Sequence, residues 1–582
     1  MRKVVFALAS VFLSSCLAAP PTPQSAAEAR ASIMSARHTA QRLAGAKAAP
    51  EQLRQAAQQL EELRALLDQQ PWRDMGAAES ALYAERLNIA IPLVQIYARL
   101  GEREKALSVL ESTPRVALIP ALAQLEQDPA LASIKDDARF KAVLQKFRAG
   151  AIASRDGLAS PYAASLSLEQ RVAGLSLFWS EARHNFANPD LMPALNWDAV
   201  YLDYLGKVAQ AKSTEEYYAI LMRLAPLLHD GHTNIYPPRE LMDRFYARPP
   251  LSTALVEDRV VVQKLFGSEL KGRIALGDEL LAIDGVETRA YAEKNIRPLA
   301  SASTPQDSDV RTYSYMLLSG DQRKPVVLTL RNREGKDYKV TVHRGERPPS
   351  AEPSFPFRVL PSGVAYLRLD EFETDTGPKT FELVLPEIRK AKGLILDLRI
   401  NGGGSGEYGA QIMSWLVDRP IRQSGSRVRC EDPSFRAHAG DYVAWRPLPD
   451  DPPPPVLPQE QLYTGPVAVL TGPRTFSAAE DFTVMFVQAR RGVLVGEATG
   501  GSTGQPLFLK LPGGGTARIC VKRDYFNDGS DFVGKGIQPD VVVKPTIAAL
   551  RDGSDPALER AEAMLAAPEQ YQAILSGRKG EQ

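Results

Sequence analysis

The residue pattern changes near the middle of the chain, and this change limits what the sequence can fold into. Residues 26–150 and 165–245 carry apolar residues at helical spacing, and the first of these stretches is rich in Ala, Leu, Glu, Gln and Arg. Residues 250–345 instead alternate apolar and polar side chains, as strands with one buried face do. Over residues 355–550, short β-rich runs alternate with helical stretches. The sequence therefore predicts a multidomain α/β chain with a helical C-terminal tail over residues 551–582.

Length and charge narrow the possible classes of protein. The chain has 582 residues, and at roughly 150 residues per domain it is long enough for about four domains. Its net charge is +1, which gives no general attraction to nucleic acid, so we predict no nucleic-acid partner. Hydrophobic residues make up 44% and charged residues 24%, which excludes a mostly disordered chain and a multi-span membrane protein.

The first residues of the chain are typical of a bacterial export signal. Residues 1–19 combine a basic start with an apolar run that is too short to span a bilayer. The sequence Leu-Ser-Ser-Cys, which ends at Cys16, resembles a lipobox, in which the cysteine becomes the lipid-modified first residue. Cleavage after Ala18 or Ala19 is the alternative and would release a soluble protein. We predict a lipid-anchored protein of the bacterial cell envelope that faces the periplasm.

The cysteines give no indication of a metal site. Besides Cys16, the chain contains Cys430 and Cys520, and none of them has the CxxC or Cys/His spacing of a zinc site. In an oxidising compartment these two thiols can either pair or stay free, and the sequence leaves both alternatives open. No metal and no cofactor is predicted.

Two segments resemble interaction modules. Residues 87–111 resemble one tetratricopeptide helix pair, and because arrays of such repeats need about three copies, we predict a partner-binding or spacer region. Residues 277–285, with the sequence GDELLAIDG, resemble a PDZ domain, which captures extended peptides at a sheet edge. The Gly-Leu-Gly-Phe type of carboxylate-binding loop is missing, which puts peptide binding by this module in doubt.

A glycine-rich turn follows the predicted strand of residues 393–400. Residues 404–409 match GxGxxG, but polar residues separate the glycines from the strand. The acidic residue that a dinucleotide site needs about twenty positions later is also missing. Two alternatives stay open: amides at Gly402 and Gly403 stabilise an oxyanion, or the glycines only permit a packing turn.

Two serine motifs compete for the role of nucleophile. Residues 500–504 match GxSxG, but a hydrolase elbow of that type needs a later histidine, and the last histidine is His438. Residues 475–482 place Ser477 between a predicted strand and a predicted helix. Since Ser477 and Glu480 also form a capping-box pattern, the residues alone favour a helix cap over catalysis.

Six separated motifs together resemble the serine peptidases that include the tail-specific (C-terminal processing) proteases and the tricorn core. They follow the family's order over roughly residues 165–545 and are LLHDGHTNIYPP (227–238), GDELLAIDG (277–285), GLILDLRINGGG (393–404), VAVLTGPRTFSAAEDF (467–482), VGEATGGSTG (495–504) and GKGIQPDVVV (534–543). The resemblance implies a crotonase-like or ClpP-like α/β peptidase core with a PDZ-like β-rich module. It also implies that Ser477 is the nucleophile and that Ala478 N–H shares the oxyanion hole with an amide of Gly402 or Gly403.

The expected base distinguishes two branches of this family. Tail-specific members use a lysine about 25 residues after the serine, but residues 498–504 contain no lysine. The tricorn-like branch uses a histidine, and His232 matches it, with His229 as the nearest rival. A neutral imidazole accepts a serine proton at ambient pH. The tricorn pattern also has a serine beside the histidine and a glutamate before the GxGxxPD segment, where this chain has Gly231 and Val533.

The acid that would orient the imidazole is not assigned by the motifs. Asp531 is the first candidate, with Asp528 and Asp524 as alternatives. The leading hypothesis is an exported serine endopeptidase that hydrolyses polypeptides through an acyl-enzyme on Ser477, with His232 as general base. The alternative is an inactive homologue that binds peptides or apolar ligands.

Overall fold

A computed structural model describes residues 26–45, 48–70, 80–113, 122–148, 156–345, 353–440, 443–449, 451 and 453–577. The predicted signal and Cys16 lie outside these residues. The chain forms two compact units, Met1–Ser154 and Arg155–Gln582. None of the helices in the described part of the chain is both long and apolar enough to cross a bilayer.

The first unit consists of helices packed around a single apolar core. These are α1 (Ala26–Gly45), α2 (Pro50–Leu67), α3 (Ser80–Arg99), α4 (Arg103–Ser112), α5 (Leu122–Gln127) and α6 (Ala138–Arg148). In α2, Pro50 takes the first helical position, where its missing N–H is not needed, and the leucines and alanines of one face are buried. The predicted helical N-terminal region is confirmed, and its likeness to a tetratricopeptide pair stays a prediction.

The second unit begins with the predicted second helical block. Its main helices are α7 (Leu168–Asn185), α8 (Trp197–Gln210) and α9 (Thr214–Leu221), and Ser167, Asn196 and Ser213 cap their N-termini. Strand β1 (Asn234–Tyr236) follows and pairs with β16 (Thr516–Cys520), which also pairs with β15 (Pro506–Lys510). Residues from the helices and from this small sheet share one apolar core. The helical block is therefore built into the α/β part of the chain.

A six-stranded sheet forms the β-rich module. After the short helix α10 (Met242–Phe245), β2 (Leu251–Val256), β3 (Arg259–Leu265), β4 (Glu279–Ile283), β6 (Val326–Arg331) and β7 (Asp337–Val342) form it in this order, and β5 (Val286–Glu287) pairs with β4. Helices α11 (Thr288–Asn295) and α12 (Pro305–Asp309) and the π-helix Val310–Met316 complete the module. The π-helix packs against edge strand β2, where Thr253 Oγ1 donates to Tyr313 O. The π-helix is therefore held to the sheet at β2.

A second six-stranded sheet forms the α/β core, with the order β18–β14–β13–β10–β9–β8. Its strands are β8 (Phe357–Val359), β9 (Ala365–Arg368), β10 (Leu394–Asp397), β13 (Val467–Thr471), β14 (Val493–Gly496) and β18 (Val541–Val542), and only β8 is antiparallel. Helices α13 (Thr376–Ile388), α14 (Gly406–Ser414) and α16 (Ala478–Gln488) share one core with it. Because the parallel strands end at one edge, the loops after β10 and β13 lie side by side.

The predicted C-terminal tail is part of this core. Helices α17 (Ile547–Asp552), α18 (Pro556–Ala566) and α19 (Pro568–Gly577) follow β18. Leu558, Met564 and Tyr571 are buried together with strand residues of the sheet. The tail therefore covers a face of the sheet, which needs apolar cover because its strands are apolar on both faces.

A smaller three-stranded sheet has the order β12 (Val443–Pro447), β11 (Gly425–Glu431) and β17 (Arg523–Tyr525). Helix α15 (Pro433–Ala439) lies between β11 and β12 in the sequence. After β12, the proline-rich residues 453–458 have no regular secondary structure. Cys430 and Cys520 are both free thiols. Of the two alternatives that the sequence left open, the structure therefore shows free thiols.

Candidate active site

Ser477 lies in a strained turn between β13 and α16. Its backbone has φ 58° and ψ −126°, a conformation that residues with a side chain rarely adopt and that costs about 1–3 kcal/mol. Its N–H donates to Ser502 O at 3.1 Å, and the preceding Phe476 N–H donates to Asn401 O at 3.0 Å. Its side chain makes no cap hydrogen bond. Instead, Ser477 Oγ lies 3.0 Å from Nε2 of His232.

His232 lies in the loop between the helical block and β1, and only 4% of it is exposed. The carboxylate of Asp230 fixes this loop, because it accepts hydrogen bonds from His232 N–H and Thr233 Oγ1, both at 2.9 Å. The imidazole stacks on the ring of Phe476, with centroids 4.7 Å apart and an interplanar angle of 18°. These contacts therefore fix both the position and the orientation of the imidazole before any substrate binds.

Burial lowers the pKa of His232 well below its ordinary value of 6.5, and the positive charges of Arg518, Arg311 and Lys522 lower it further. The imidazole is therefore neutral at neutral pH. A neutral imidazole carries one proton, so Nε2 can accept the Ser477 proton only when Nδ1 carries its own. The second ring nitrogen therefore needs an acceptor.

Ser502 supplies that acceptor, since its Oγ lies 2.9 Å from His232 Nδ1. Its backbone N–H donates to Oε2 of Glu480 at 2.9 Å. Oε1 of Glu480 accepts from Thr499 Oγ1 at 2.5 Å and from Gly501 N–H at 2.8 Å. Glu480 is fully buried, and burial raises its pKa to about 7 against the opposing effect of these donors. The loop that carries Ser502 is thus anchored on a buried carboxyl group of the nucleophile's own helix.

The motifs did not identify Ser502 or the buried role of Glu480. The motif that contains Ser502 fails as a hydrolase elbow, and Glu480 was considered only as a cap. One signal was available: Ser502 lies 25 positions after Ser477, where the resemblance places the lysine of tail-specific members. In this chain a hydroxyl group at that position contacts the imidazole.

Gly231 explains a departure from the family pattern. A Cβ atom at this position would lie 2.8 Å from the Phe476 ring and 2.9 Å from the Arg311 guanidinium. The serine that the tricorn pattern has beside the histidine therefore does not fit here. The hydroxyl group next to the imidazole comes instead from Ser502, which is distant in sequence.

The prediction of Asp531 as the orienting acid is corrected by the structure. Its carboxylate pairs with Arg427 at 2.9 Å and with Arg523 at 3.0 Å, because Arg523 is buried and needs a counter-ion. Asp524 accepts from Ser426 Oγ and from Thr503 Oγ1 at 2.7 Å. Asp528 accepts from Ser530 on the surface. In the described part of the chain, none of these three aspartates contacts the His232 ring.

The glycine turn after β10 lies directly against the nucleophile. A Cβ atom on Gly403 would lie 2.6 Å from Ser477 Cβ and 2.9 Å from Ala478 N, so only glycine fits here. However, Gly403 N–H already donates to Asn401 Oδ1 at 2.9 Å. Within the described residues, no acceptor is found for the amides of Ala478, Gly402 and Gly404. The prediction that Gly403 N–H is a free oxyanion donor is therefore corrected: that amide fixes the turn, and its neighbours are the available donors.

His229, the rival base, does not approach the nucleophile. It is exposed, and it ends a short 3₁₀ helix in the left-handed conformation, with φ 44°. No contact between its ring and Ser477 is present in the described residues. Of the two histidines, only His232 lies at the site.

A strained serine at the start of a buried helix, a neutral histidine beside it and free amides next to it define the arrangement of serine hydrolases. Residues 363–543 match the model of peptidase family S41. The chain therefore carries a domain of peptidase family S41 and is a homologue of serine-type peptidases.

Two curated proteins extend this similarity. A carboxy-terminal-processing protease of Bartonella bacilliformis is 25% identical over 252 residues, which cover 42% of this chain and 53% of that protein. The chloroplastic C-terminal processing peptidase of Tetradesmus obliquus is 27% identical over 200 residues, which cover 32% of this chain and 38% of that protein. The matches thus span about half of these relatives or less.

Among solved structures, mature CPAF in complex with lactacystin has a similar fold. The TM-score is 0.54 at 16% sequence identity, and the match covers 70% of this chain and 99% of that one. The predicted multidomain α/β class with a peptidase-type core is thereby confirmed. The likeness of the β-rich module to a PDZ domain stays a prediction.

Proposed function

We propose that this chain is an exported serine endopeptidase that hydrolyses polypeptides through an acyl-enzyme on Ser477, with His232 as general base. The observation that carries this proposal is the 3.0 Å distance between Ser477 Oγ and His232 Nε2. It lies within the range over which a base removes a proton directly. The neutral state of the buried imidazole supports the same role.

In the first step, Ser477 Oγ attacks the carbonyl carbon of a peptide bond while its proton moves to His232 Nε2. The imidazole becomes a cation, and its Nδ1–H donates to Ser502 Oγ throughout. The negative charge moves to the carbonyl oxygen, where Ala478 N–H and Gly404 N–H stabilise it. In other serine peptidases, removal of one such donor raises the activation free energy by about 2.7–4 kcal/mol.

In the second step, the imidazolium ion returns its proton to the departing amine, and the carbon–nitrogen bond breaks. An ester remains between Ser477 Oγ and the acyl part of the substrate, which lies on the N-terminal side of the cleaved bond. Water, deprotonated by His232, then attacks this ester. The imidazolium ion returns that proton to Ser477 Oγ as the ester bond breaks, which releases a carboxylic acid and restores the serine hydroxyl group. The buried carboxyl group of Glu480 acts on this sequence of steps as a support: it holds the Ser502 loop and accepts from Ser477 N–H at 3.3 Å.

The alternative, an inactive homologue that binds peptides or apolar ligands, rested on the missing lysine, the missing glutamate and the incomplete PDZ loop. Ser502 and Glu480 offer a different support for the same histidine, so the first two departures do not argue against catalysis. The third remains relevant to peptide binding by the β-rich module.

The proposal includes the site residues named above. It also includes the predicted signal and domain boundaries, which are 1–19, 26–150, 165–245, 250–345, 355–550 and 551–582. Export, lipid attachment at Cys16, a periplasm-facing location and a partner protein at the N-terminal helices are also part of the proposal. Lipid attachment is tested by metabolic labelling with a fatty acid. We expect the wild type but not Cys16→Ala to carry the label, and equal labelling of both would contradict the anchor.

The proposed activity is tested with the purified chain and a fluorescently labelled, unfolded polypeptide. We expect cleavage by the wild type, no cleavage by Ser477→Ala, and wild-type cleavage by Ser213→Ala. Ser213 is a matched control because it also caps a helix, α9, in the ordinary way. Binding of the polypeptide without cleavage by the wild type would favour the inactive homologue.

A further inference from the structure

A segment of the β-rich module, Ser303–Arg311, braces both loops that support the proposed base. Ser303 Oγ accepts from Gly231 N–H, next to His232, at 3.0 Å. Thr304 Oγ1 donates to Gly500 O at 2.8 Å, and Gln306 Nε2 donates to Thr499 O at 3.0 Å. The loops of His232 and Ser502 are thus connected to the same nine-residue segment, which we call the bracing segment.

Arg311 ends the bracing segment and reaches the site through Phe476. Its guanidinium carbon lies 5.2 Å from the centroid of the Phe476 ring, the same ring that stacks on His232. Its Nε donates to Asp307 Oδ1 at 2.7 Å, and the side chains of Arg311 and Asp307 are only 16% and 3% exposed. A guanidinium that is partly desolvated over an aromatic ring is attracted to the face of that ring.

The narrow space around Gly231 shows how closely the backbone beside His232 packs against Phe476 and Arg311. A Cβ atom there would touch the ring and the guanidinium together. The backbone beside His232, the ring and the cation therefore form one packed cluster. Movement of any member would change the position of the imidazole relative to Ser477.

We propose that Arg311 is a positioning residue of the peptidase site: from the β-rich module, it holds Phe476 against His232 and thereby sets the position of the imidazole. This inference rests on the proposed function. It assigns the β-rich module a direct part in assembling the catalytic pair, in addition to any role in peptide capture.

Several charges face His232, and Arg311 is one of them. Arg518 lies in the middle of β16 and Lys522 lies two residues after that strand, while the carboxyl groups of Asp230 and Glu480 lie behind the loop and behind Ser502. Because Arg311 helps to lower the pKa of His232, its removal raises that pKa. A variant without Arg311 should then need a higher pH to keep the imidazole neutral.

The test uses the rate at which a fluorophosphonate modifies Ser477 in the full chain, measured from pH 5 to pH 9. The main variant is the double substitution Asp307→Asn with Arg311→Met, because Arg311→Met alone would leave a buried carboxylate without its cation. Arg311→Lys is the conservative variant. Arg331→Met is the matched control, since Arg331 also belongs to the β-rich module and pairs with an aspartate, Asp337, but makes no contact with the bracing segment in the described part of the chain.

We expect the double variant to lose about 10- to 100-fold in rate, as small misplacements of catalytic groups do, and to show an acid limb at higher pH. Arg311→Lys should recover part of the rate, and the control should stay within about 2-fold of the wild type. If the double variant is unfolded by circular dichroism, Phe476→Leu takes its place, with the same expected loss of rate.

Wild-type rates and an unchanged pH profile in a folded double variant would overturn the positioning role while leaving the proposed function intact. Equal losses in the Arg331→Met control would also overturn it, since they would indicate a general effect on the module. No modification of Ser477 in the wild type would instead contradict the proposed function itself. The two failures are therefore distinguishable.

Discussion

The loop of Ser477 and the loop of His232 are held in place in different ways. Ser477 follows a buried parallel strand and begins a helix, so regular elements flank it on both sides, and long-range hydrogen bonds to Ser502 O and Asn401 O hold its turn. His232 follows a short 3₁₀ helix in an irregular loop, and its ring contacts Ser502 and Phe476, which are distant in sequence. The comparison shows that the turn of Ser477 is built on regular elements next to it, whereas the ring of His232 is held by long-range contacts.

The largest expected effect comes from removing the base itself. We expect His232→Gln to lower kcat/KM by about four orders of magnitude or more, because a nucleophile and its base act as a unit. Steady-state kinetics on the unfolded polypeptide measure this. The matched control is His229→Gln, which should keep wild-type activity because that ring is exposed. Loss of activity in His229→Gln instead would show that His229, and not His232, is the base.

Removal of the Ser502 hydroxyl group tests the long-range support. We expect Ser502→Ala to lower kcat by about 10- to 100-fold with little change in KM, because it leaves a buried Nδ1–H without its acceptor, at a cost of about 1–3 kcal/mol. Ser502→Thr should keep most of the activity. Unchanged kcat in Ser502→Ala would mean that the imidazole does not depend on this partner.

A side chain at Gly231 should disturb both His232 and the Phe476 ring that stacks on it. Gly231→Ala forces a Cβ atom against Phe476 and Arg311 and should cost about 1–3 kcal/mol of stability, with at least about a 10-fold loss in kcat. Thermal unfolding and kinetics measure both effects. Gly206→Ala is the control, since a Cβ atom there meets nothing within 4 Å.

The smallest effect concerns pH. Because the pKa of His232 lies well below 6.5 in the folded chain, the acid limb of kcat/KM should fall below pH 6.5. The sign for stability follows from the same shift: below pH 6.5 the unfolded chain binds a proton that the folded chain does not, so His232 contributes less stability as pH falls. An acid limb at pH 6.5 or higher would contradict a buried, neutral base.

The contrast between the two loops also explains what the sequence could predict. The strand–serine–helix pattern around Ser477 is local, and His232 was predicted as the base because its segment resembles the histidine segment of the tricorn-like branch. Neither Ser502 nor the anchoring role of Glu480 follows from local patterns, since both arise from the packing of the Gly500–Ser502 turn onto α16. Asp531 was predicted by its place in the sequence, but the need of buried Arg523 for a counter-ion decides its position.

The overall fold shows the same difference between local patterns, which the sequence reveals, and long-range packing, which it does not. The periodicity of helices and strands predicted the α/β class, and the helical tail was predicted as an element of its own. Its packing was not predictable, because the apolar stripe of α18 does not reveal which sheet it covers. Similarly, the two cysteines could be found in the sequence, but only their placement in different sheets shows that they stay apart.

The most direct test of the account is to map the site of phosphonylation by mass spectrometry after treatment with a fluorophosphonate, in the wild type and in His232→Gln. We predict a single adduct on the peptide that carries Ser477, formed at least about 1000-fold more slowly without the histidine. An adduct on another serine, or equal rates in the two proteins, would contradict the assignment of Ser477 and His232 as a catalytic pair.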